Sequence, residues 1–279
     1  MLKQRVITGI VLALSFLAAL FVLPAFGFIA LMVVVLAYAA WEWGRLAGLT
    51  SAAGRGFYML AVIAVAGALA AYLGFEQNIL LAEKPRFLLL LACTWWAIAM
   101  LWVQSYPSSA ILWGRRWLCL SMGVFVLLPM WLAFAGLMSL AEGPKLVLAV
   151  VLLVALADIG GYFVGRAIGR TKLAPKVSPG KTWEGLLGGQ LAIFLVVGMT
   201  GWFLGFDASR IGLWLGLAMV TGLASVLGDL VESMVKRHRG VKDSGTILPG
   251  HGGVLDRIDG LTAALPVFSL LLSLLYNRL

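Results

Sequence analysis

The sequence predicts an all-α fold, a polytopic integral membrane protein with about nine transmembrane helices. Three observations predict it. Apolar residues make up 62% of the chain and charged residues 12%, with a mean hydropathy of +1.01, well outside the range of a soluble globular domain. Apolar runs recur along the chain, each about 17 to 23 residues long and therefore able to cross about 30 Å of hydrocarbon. Basic residues concentrate in every second segment between those runs.

The runs are 7–23, 26–43, 57–75, 87–103, 118–140, 146–165, 186–206, 211–231 and 261–276. The first two are parted only by a turn around Pro24, so a re-entrant hairpin is the alternative to two spans; two spans are preferred. Met1 to Arg5 and the following run resemble a secretory leader, but the apolar core is longer than the usual one and no small-x-small cleavage site follows, which favours a retained helix. Cys93 and Cys119 form no C-x-x-C pair and lie in or beside spans, so neither a disulfide framework nor a zinc site is indicated.

With a cytoplasmic N-terminus, the inner segments hold Lys3, Arg5, Arg45, Arg55, Arg115, Arg116, Arg166, Arg170, Lys172, Lys176, Lys181, Lys236, Arg237, Arg239, Lys242 and Arg257. The outer segments keep Lys84, Arg86, Lys145, Arg210 and Arg278, so 16 of the 21 basic residues lie inside. This positive-inside bias places the C-terminus outside. Residues 1–145 read as a scaffold of about five helices. Residues 146–279 read as the working region, about four helices with cytoplasmic loops 166–185 and 232–260. No internal repeat is present.

Eight of the 12 acidic residues fall in that second region, and seven of them, Asp158, Glu184, Asp229, Glu232, Asp243, Asp256 and Asp259, belong to its cytoplasmic side. The topology brings four helix ends carrying them to one surface. Asp158 lies inside a span, where an ionised carboxylate is costly and functional by default; the structural alternative is a packing role with Arg166 or Tyr162. On a helix, Asp229, Glu232, Ser233 and Lys236 share one face, as do Asp256 and Asp259. Such carboxylates at two helix ends suit a hard cation such as Mg2+, which bridges to substrate phosphates.

The loop at 166–185 contains a Gly-Lys-Thr that is no P-loop, because position 175 is Pro where that motif needs Gly. Its Lys172, Lys176 and Lys181 can neutralise phosphate, with Ser178 and Thr182 as hydroxyl donors where a turn opens into a helix. A purely topogenic basic loop is the alternative. In the second loop Gly250, Gly252 and Gly253 let backbone N–H groups approach phosphate oxygens, and Pro249 stiffens the entry. His251 reads as a phosphate or structural donor. An esterase is excluded because no G-x-S-x-G elbow occurs.

Ser233-x-Val235-Lys236-Arg237, Lys242-Asp243-x-Gly245 and Leu248-Pro249-x-His251-Gly252-Gly253-Val254-x-Asp256-Arg257-x-Asp259 together resemble the signature of the phosphatidate cytidylyltransferases, or CDP-diacylglycerol synthases. A second stretch, from Asp158 to Gly169 and then Lys172-x-x-Pro175-x-x-Ser178-Pro179-x-Lys181-Thr182-x-Glu184-Gly185, resembles the same family. The specific likeness covers residues 158–260. It implies a bacterial inner-membrane enzyme that joins CTP and phosphatidic acid into CDP-diacylglycerol with release of pyrophosphate, using Mg2+, with a second cation as a variant. The catalytic set is then Asp229, Asp256, Asp259 and Lys236, and the metal set Asp229, Glu232, Asp256 and Asp259. Substrate phosphates fall to Lys172, Lys176, Lys181, Arg237, Lys242 and Arg257, with Ser178, Thr182, His251, Gly252 and Gly253 as hydrogen-bond donors. Expected partners are CTP, phosphatidic acid and membrane lipid, with a homodimer as a further candidate and no nucleic acid.

A transporter is the main competitor, since broken polar helices also build ion sites, but it predicts a repeated half and acids at the midplane. A CDP-alcohol phosphotransferase would carry its own aspartate motif, which is absent. The topology predicts that a cysteine at position 240 reacts with impermeant thiol reagents only from the cytoplasmic side, and one at 279 only from outside; both reacting from one side would overturn the span count.

Overall fold

The computed structural model describes residues 2–74, 77–248 and 250–279, residues 2–6 by backbone alone. Pro249 and the side chains of Lys3 and Arg5 therefore lie outside the described residues. The chain folds into helices α1 (Leu2–Val22), α2 (Ala25–Leu46), α3 (Ala52–Leu73), α4 (Glu83–Gln104), short α5 (Ala110–Trp113), α6 (Arg116–Met138), α7 (Gly143–Ile168), α8 (Trp183–Phe203), α9 (Ala208–Arg239) and α10 (Leu255–Leu275). Among the described residues, eight of these are long and apolar enough to cross a membrane. The remaining expected span is α1, whose described apolar part is Ile7–Val22.

Local chemistry sets the boundaries. Pro24 is extended (φ −61°, ψ 157°) and opens α2 directly after α1 ends, so the pair is two helices parted at Pro24, a backbone that the two-span and hairpin readings share. Ser51 caps α3 by accepting from Gly54 N–H, and Asp207 caps α9 by accepting from Arg210 N–H, each satisfying a donor that the first turn leaves orphaned. The run 211–231 proves to be the middle of one 32-residue helix that continues to Arg239. Asp229 therefore lies within a helix and not at its end. Hydropathy falls at Asp229, Glu232 and Lys236, but charge does not interrupt backbone hydrogen bonds. The helix stops where Gly240 takes a left-handed conformation (φ 71°). At 1.5 Å per residue α9 is about 48 Å long, so its polar end extends past the hydrocarbon while remaining helical.

The segment between α7 and α8 contains the chain's one sheet among the described residues. β1 (Lys172–Ala174) pairs antiparallel with β2 (Ser178–Thr182), Lys172 opposite Thr182 and Ala174 opposite Ser178. The Ser-Pro-Gly-Lys-Thr sequence, expected as a turn, is thus a strand that runs straight into α8.

α10 lies at the centre, packed against α9, α6, α4, α7 and α2. Beside it, α7 and α8 approach through small residues. A Cβ on Gly188 would collide with the Val164 side chain, and one on Gly189 with the Ala157 carbonyl. Without a hydrophobic drive between helices in lipid, such backbone proximity supplies the packing. Gly188→Ala is expected to destabilise the protein by about 1–3 kcal/mol through overpacking, read as a lower thermal midpoint in detergent; an unchanged midpoint would show that α7 and α8 can separate freely.

Candidate active site

The polar face of α9 meets the start of α10. Lys236 Nζ sits 2.7 Å from Asp256 Oδ1 and 3.1 Å from Glu232 Oε2, and all three residues are buried. One turn earlier Ser233 Oγ donates to Asp229 Oδ1 (3.1 Å), and Lys181, arriving from β2, lies 2.5 Å from Asp229 Oδ2. Asp229, Glu232, Asp256 and Lys236 are therefore brought together as expected, with Lys181 joined to them from the hairpin.

Asp256 is the most heavily engaged carboxylate. Besides Lys236 it accepts from Ser244 N–H with both oxygens (3.1 and 2.9 Å) and from Gly253 N–H (2.8 Å). Two oxygens offer about four lone-pair sites, so Asp256 is occupied in folding the loop over itself. Among the described residues the Asp259 carboxylate accepts from Gly260 N–H alone (2.8 Å), and Glu232 Oε1 is buried with no partner. Among the described residues no three His, Cys, Asp or Glu side chains form a ready metal cage. Mg2+ usually needs only one or two carboxylates together with water and substrate phosphates. The free oxygens of Glu232 and Asp259 fit that smaller demand, with Asp229 beside them.

Glu42 on α2 was not singled out by sequence, and it organises the same loop. Its carboxylate accepts from Val254 N–H (3.1 Å), Leu255 N–H (2.8 Å) and Ser244 Oγ (3.2 Å). Val254 itself provides no side-chain cap, so α2 caps α10 in its place, an anion set against a helix N-terminus. A Cβ on Gly245 or Gly253 would fall on that carboxylate; those glycines serve close approach. The only sequence signal was an acidic residue within an apolar run.

The loop 242–257 itself surrounds a cavity of about 590 Å³ lined by Lys242, Asp243, His251, Gly252 and Arg257. Gly250 and Gly252 have φ of 76° and 80°, conformations that favour glycine. His251 N–H donates to Leu248 O (2.9 Å), and its Nδ1 is buried without a partner. Arg45 Nη2 ties the loop to α2 through Asp243 O (2.8 Å).

A second cavity, about 560 Å³, lies between α7, α8 and the hairpin, lined by Asp158, Ser178, Lys181 and Gln190 among others. Asp158 is exposed to it, and Arg166 bonds Tyr162 Oη (2.7 Å) instead of Asp158. Glu184 holds the hairpin base by accepting from Thr171 N–H (3.1 and 3.2 Å).

Several expected phosphate ligands are engaged otherwise or stand elsewhere. Thr182 lines the second cavity but is buried and caps α8, accepting from Gly185 N–H (3.1 Å). Arg237 Nε donates to Val177 O (3.2 Å), tying α9 to the hairpin. Lys172 is exposed and lines neither cavity, and Lys176 borders a neighbouring apolar groove.

A model of the cytidylyltransferase family matches residues 3–275 of the chain. The curated phosphatidate cytidylyltransferase of Pseudomonas aeruginosa is 48% identical over 275 residues, covering 98% of this chain and 97% of that protein. That of Haemophilus influenzae is 42% identical over an alignment of 288 residues, covering 96% and 98%. That of Staphylococcus aureus is 45% identical over 132 residues, 47% of this chain and 50% of its own.

Glu42→Ala leaves two backbone N–H groups and a hydroxyl without their acceptor. It is expected to cost about 1–3 kcal/mol, measured as a fall in thermal midpoint, with Glu42→Gln intermediate because its carbonyl still accepts. Equal midpoints for all three proteins would show that water replaces the cap at no cost.

Proposed function

The chain belongs to the cytidylyltransferase family, and from that premise we propose that it is a phosphatidate cytidylyltransferase, carrying CMP from CTP to phosphatidic acid with release of pyrophosphate. It is an enzyme of the membrane, and its product is CDP-diacylglycerol. The observation that carries this reading furthest is the cavity where Lys181 and Ser178 meet Asp158 beside apolar helix faces, a setting for a phosphate that arrives on a lipid. The site is read at the cytoplasmic face of a bacterial inner membrane, the side that the basic residues mark and where CTP is available.

A phosphate oxygen of phosphatidic acid attacks the CTP α-phosphorus in line with the departing pyrophosphate. That nucleophile is already ionised and needs no general base. The protein's task is positioning and charge neutralisation. Lys236, held between Glu232 and Asp256, is a fixed cation whose place does not change during the reaction. Lys181 stands at the lipid side, while Lys242, Arg257 and Gly252 border the other cavity and suit the nucleotide's phosphates; the Gly253 N–H, expected as a further donor, is engaged by Asp256. Glu232, Asp259 and Asp229 would hold Mg2+, which when bound neutralises phosphate charge. Asp256 supports them by fixing Lys236 and the loop, and direct ligation would require it to release Ser244 or Gly253.

Incubating the purified protein with phosphatidate, labelled CTP and Mg2+ is expected to yield a labelled lipid, with EDTA abolishing the label and added Mg2+ restoring it. Lys181→Ala is expected to lower kcat/KM by about 10²-fold, the scale of one lost charge-stabilising donor. Wild-type protein that labels no lipid would overturn the reading, and unchanged kinetics in Lys181→Ala would return the hairpin to a topological role.

A further inference from the structure

Gln190 belongs to α8 and stands about 10 Å along that helix from Trp183. It is 7% exposed and lines the cavity of Asp158, Ser178 and Lys181, yet neither Oε1 nor Nε2 has a partner. An unpaired amide among apolar surroundings is costly, so its hydrogen-bonding groups call for a polar group from a ligand. The cavity thus offers two kinds of contact, a charge at Lys181 and, deeper along α8, a neutral hydrogen bond.

Leu173, Leu186 and Val226 line this cavity and also a neighbouring groove of about 610 Å³ between α4, the hairpin and α9. Trp96, Met100, Leu223 and Leu227 contribute to the groove, and Lys176 at the hairpin is its one charged lining residue. Shared walls place the two spaces side by side.

Resting on the phosphatidate reading, we propose that cavity and groove form a single lipid subsite, with the phosphate at Lys181, an ester carbonyl accepting from Gln190 Nε2, and one acyl chain in the groove. The order along this path is charge, neutral donor, apolar wall. The order in phosphatidic acid is phosphate, ester, acyl chain. A nucleotide has no tail for the groove, and a lipid with a choline headgroup brings a cation towards Lys181.

Cys93 lines the groove, whereas Cys119 is 2% exposed within α6, so the full wild-type chain carries its own reporter. In neutral detergent, dioleoyl phosphatidate is expected to slow N-ethylmaleimide alkylation of Cys93 about tenfold, the discrimination expected of an occupied apolar pocket. Dihexanoyl phosphatidate and dioleoyl phosphatidylcholine at the same concentration are not expected to slow it. Equal protection by phosphatidylcholine, or none by either long-chain lipid, overturns the subsite. The second measurement compares diacyl with dialkyl phosphatidate, which lacks the carbonyl. Wild-type protein should favour the diacyl lipid in kcat/KM by about tenfold, and Gln190→Leu should abolish that preference. A Gln190→Leu protein that keeps the preference, or that instead raises KM for CTP, also overturns it. A wild-type protein that transfers no CMP fails the substrate reading itself, while alkylation still reports on lipid binding alone.

Discussion

The buried ammonium of Lys236 is the interaction on which the site depends. It lies where α9 meets α10, contacting Glu232 on its own helix and Asp256 on the next. A buried cation stripped of either partner would be strongly destabilising, so the two helices are held in one register near it. Asp256 in turn accepts from Ser244 and Gly253, which folds the loop 244–253 back over the helix start. The cation and the loop conformation are parts of one network, in which Glu232 Oε1 is left open.

Glu42 extends this network to the N-terminal half. By capping α10 from α2 it makes the position of the loop depend on a helix more than 200 residues distant in sequence. The N-terminal helices thus contribute more than a framework for the span count. Their carboxylate stands in for the cap that Val254 lacks, and the glycines at 245 and 253 make room for it.

A second constraint acts from the other side. Glycines on α7 and α8 bring those helices into backbone contact, and the hairpin spans their ends. This geometry hands Lys181 from β2 to Asp229 on α9 and encloses the cavity with Asp158 and Gln190. Arg237, bound to Val177 O, ties the hairpin to α9.

By itself the sequence determined the all-α membrane fold, the approximate spans and the shared face of Asp229, Glu232, Ser233 and Lys236. These follow from composition and from the 3.6-residue period, which are local properties of the chain. The glycine-rich loop and the hairpin lysines were legible for the same reason, as residue types at fixed spacing. Tertiary structure alone decided that Lys181 pairs with Asp229, that Asp256 is filled by the loop's own donors, that Thr182 and Arg237 are turned to capping and tethering, and that Glu42 and Gln190 belong to the site. Each of these is a contact between segments far apart in sequence or a question of which lone pairs remain free. Periodicity along one helix carries no information about what another helix will present to it. The continuation of α9 through its charged residues has a different cause: hydropathy records where water is preferred, whereas backbone hydrogen bonding decides where a helix ends.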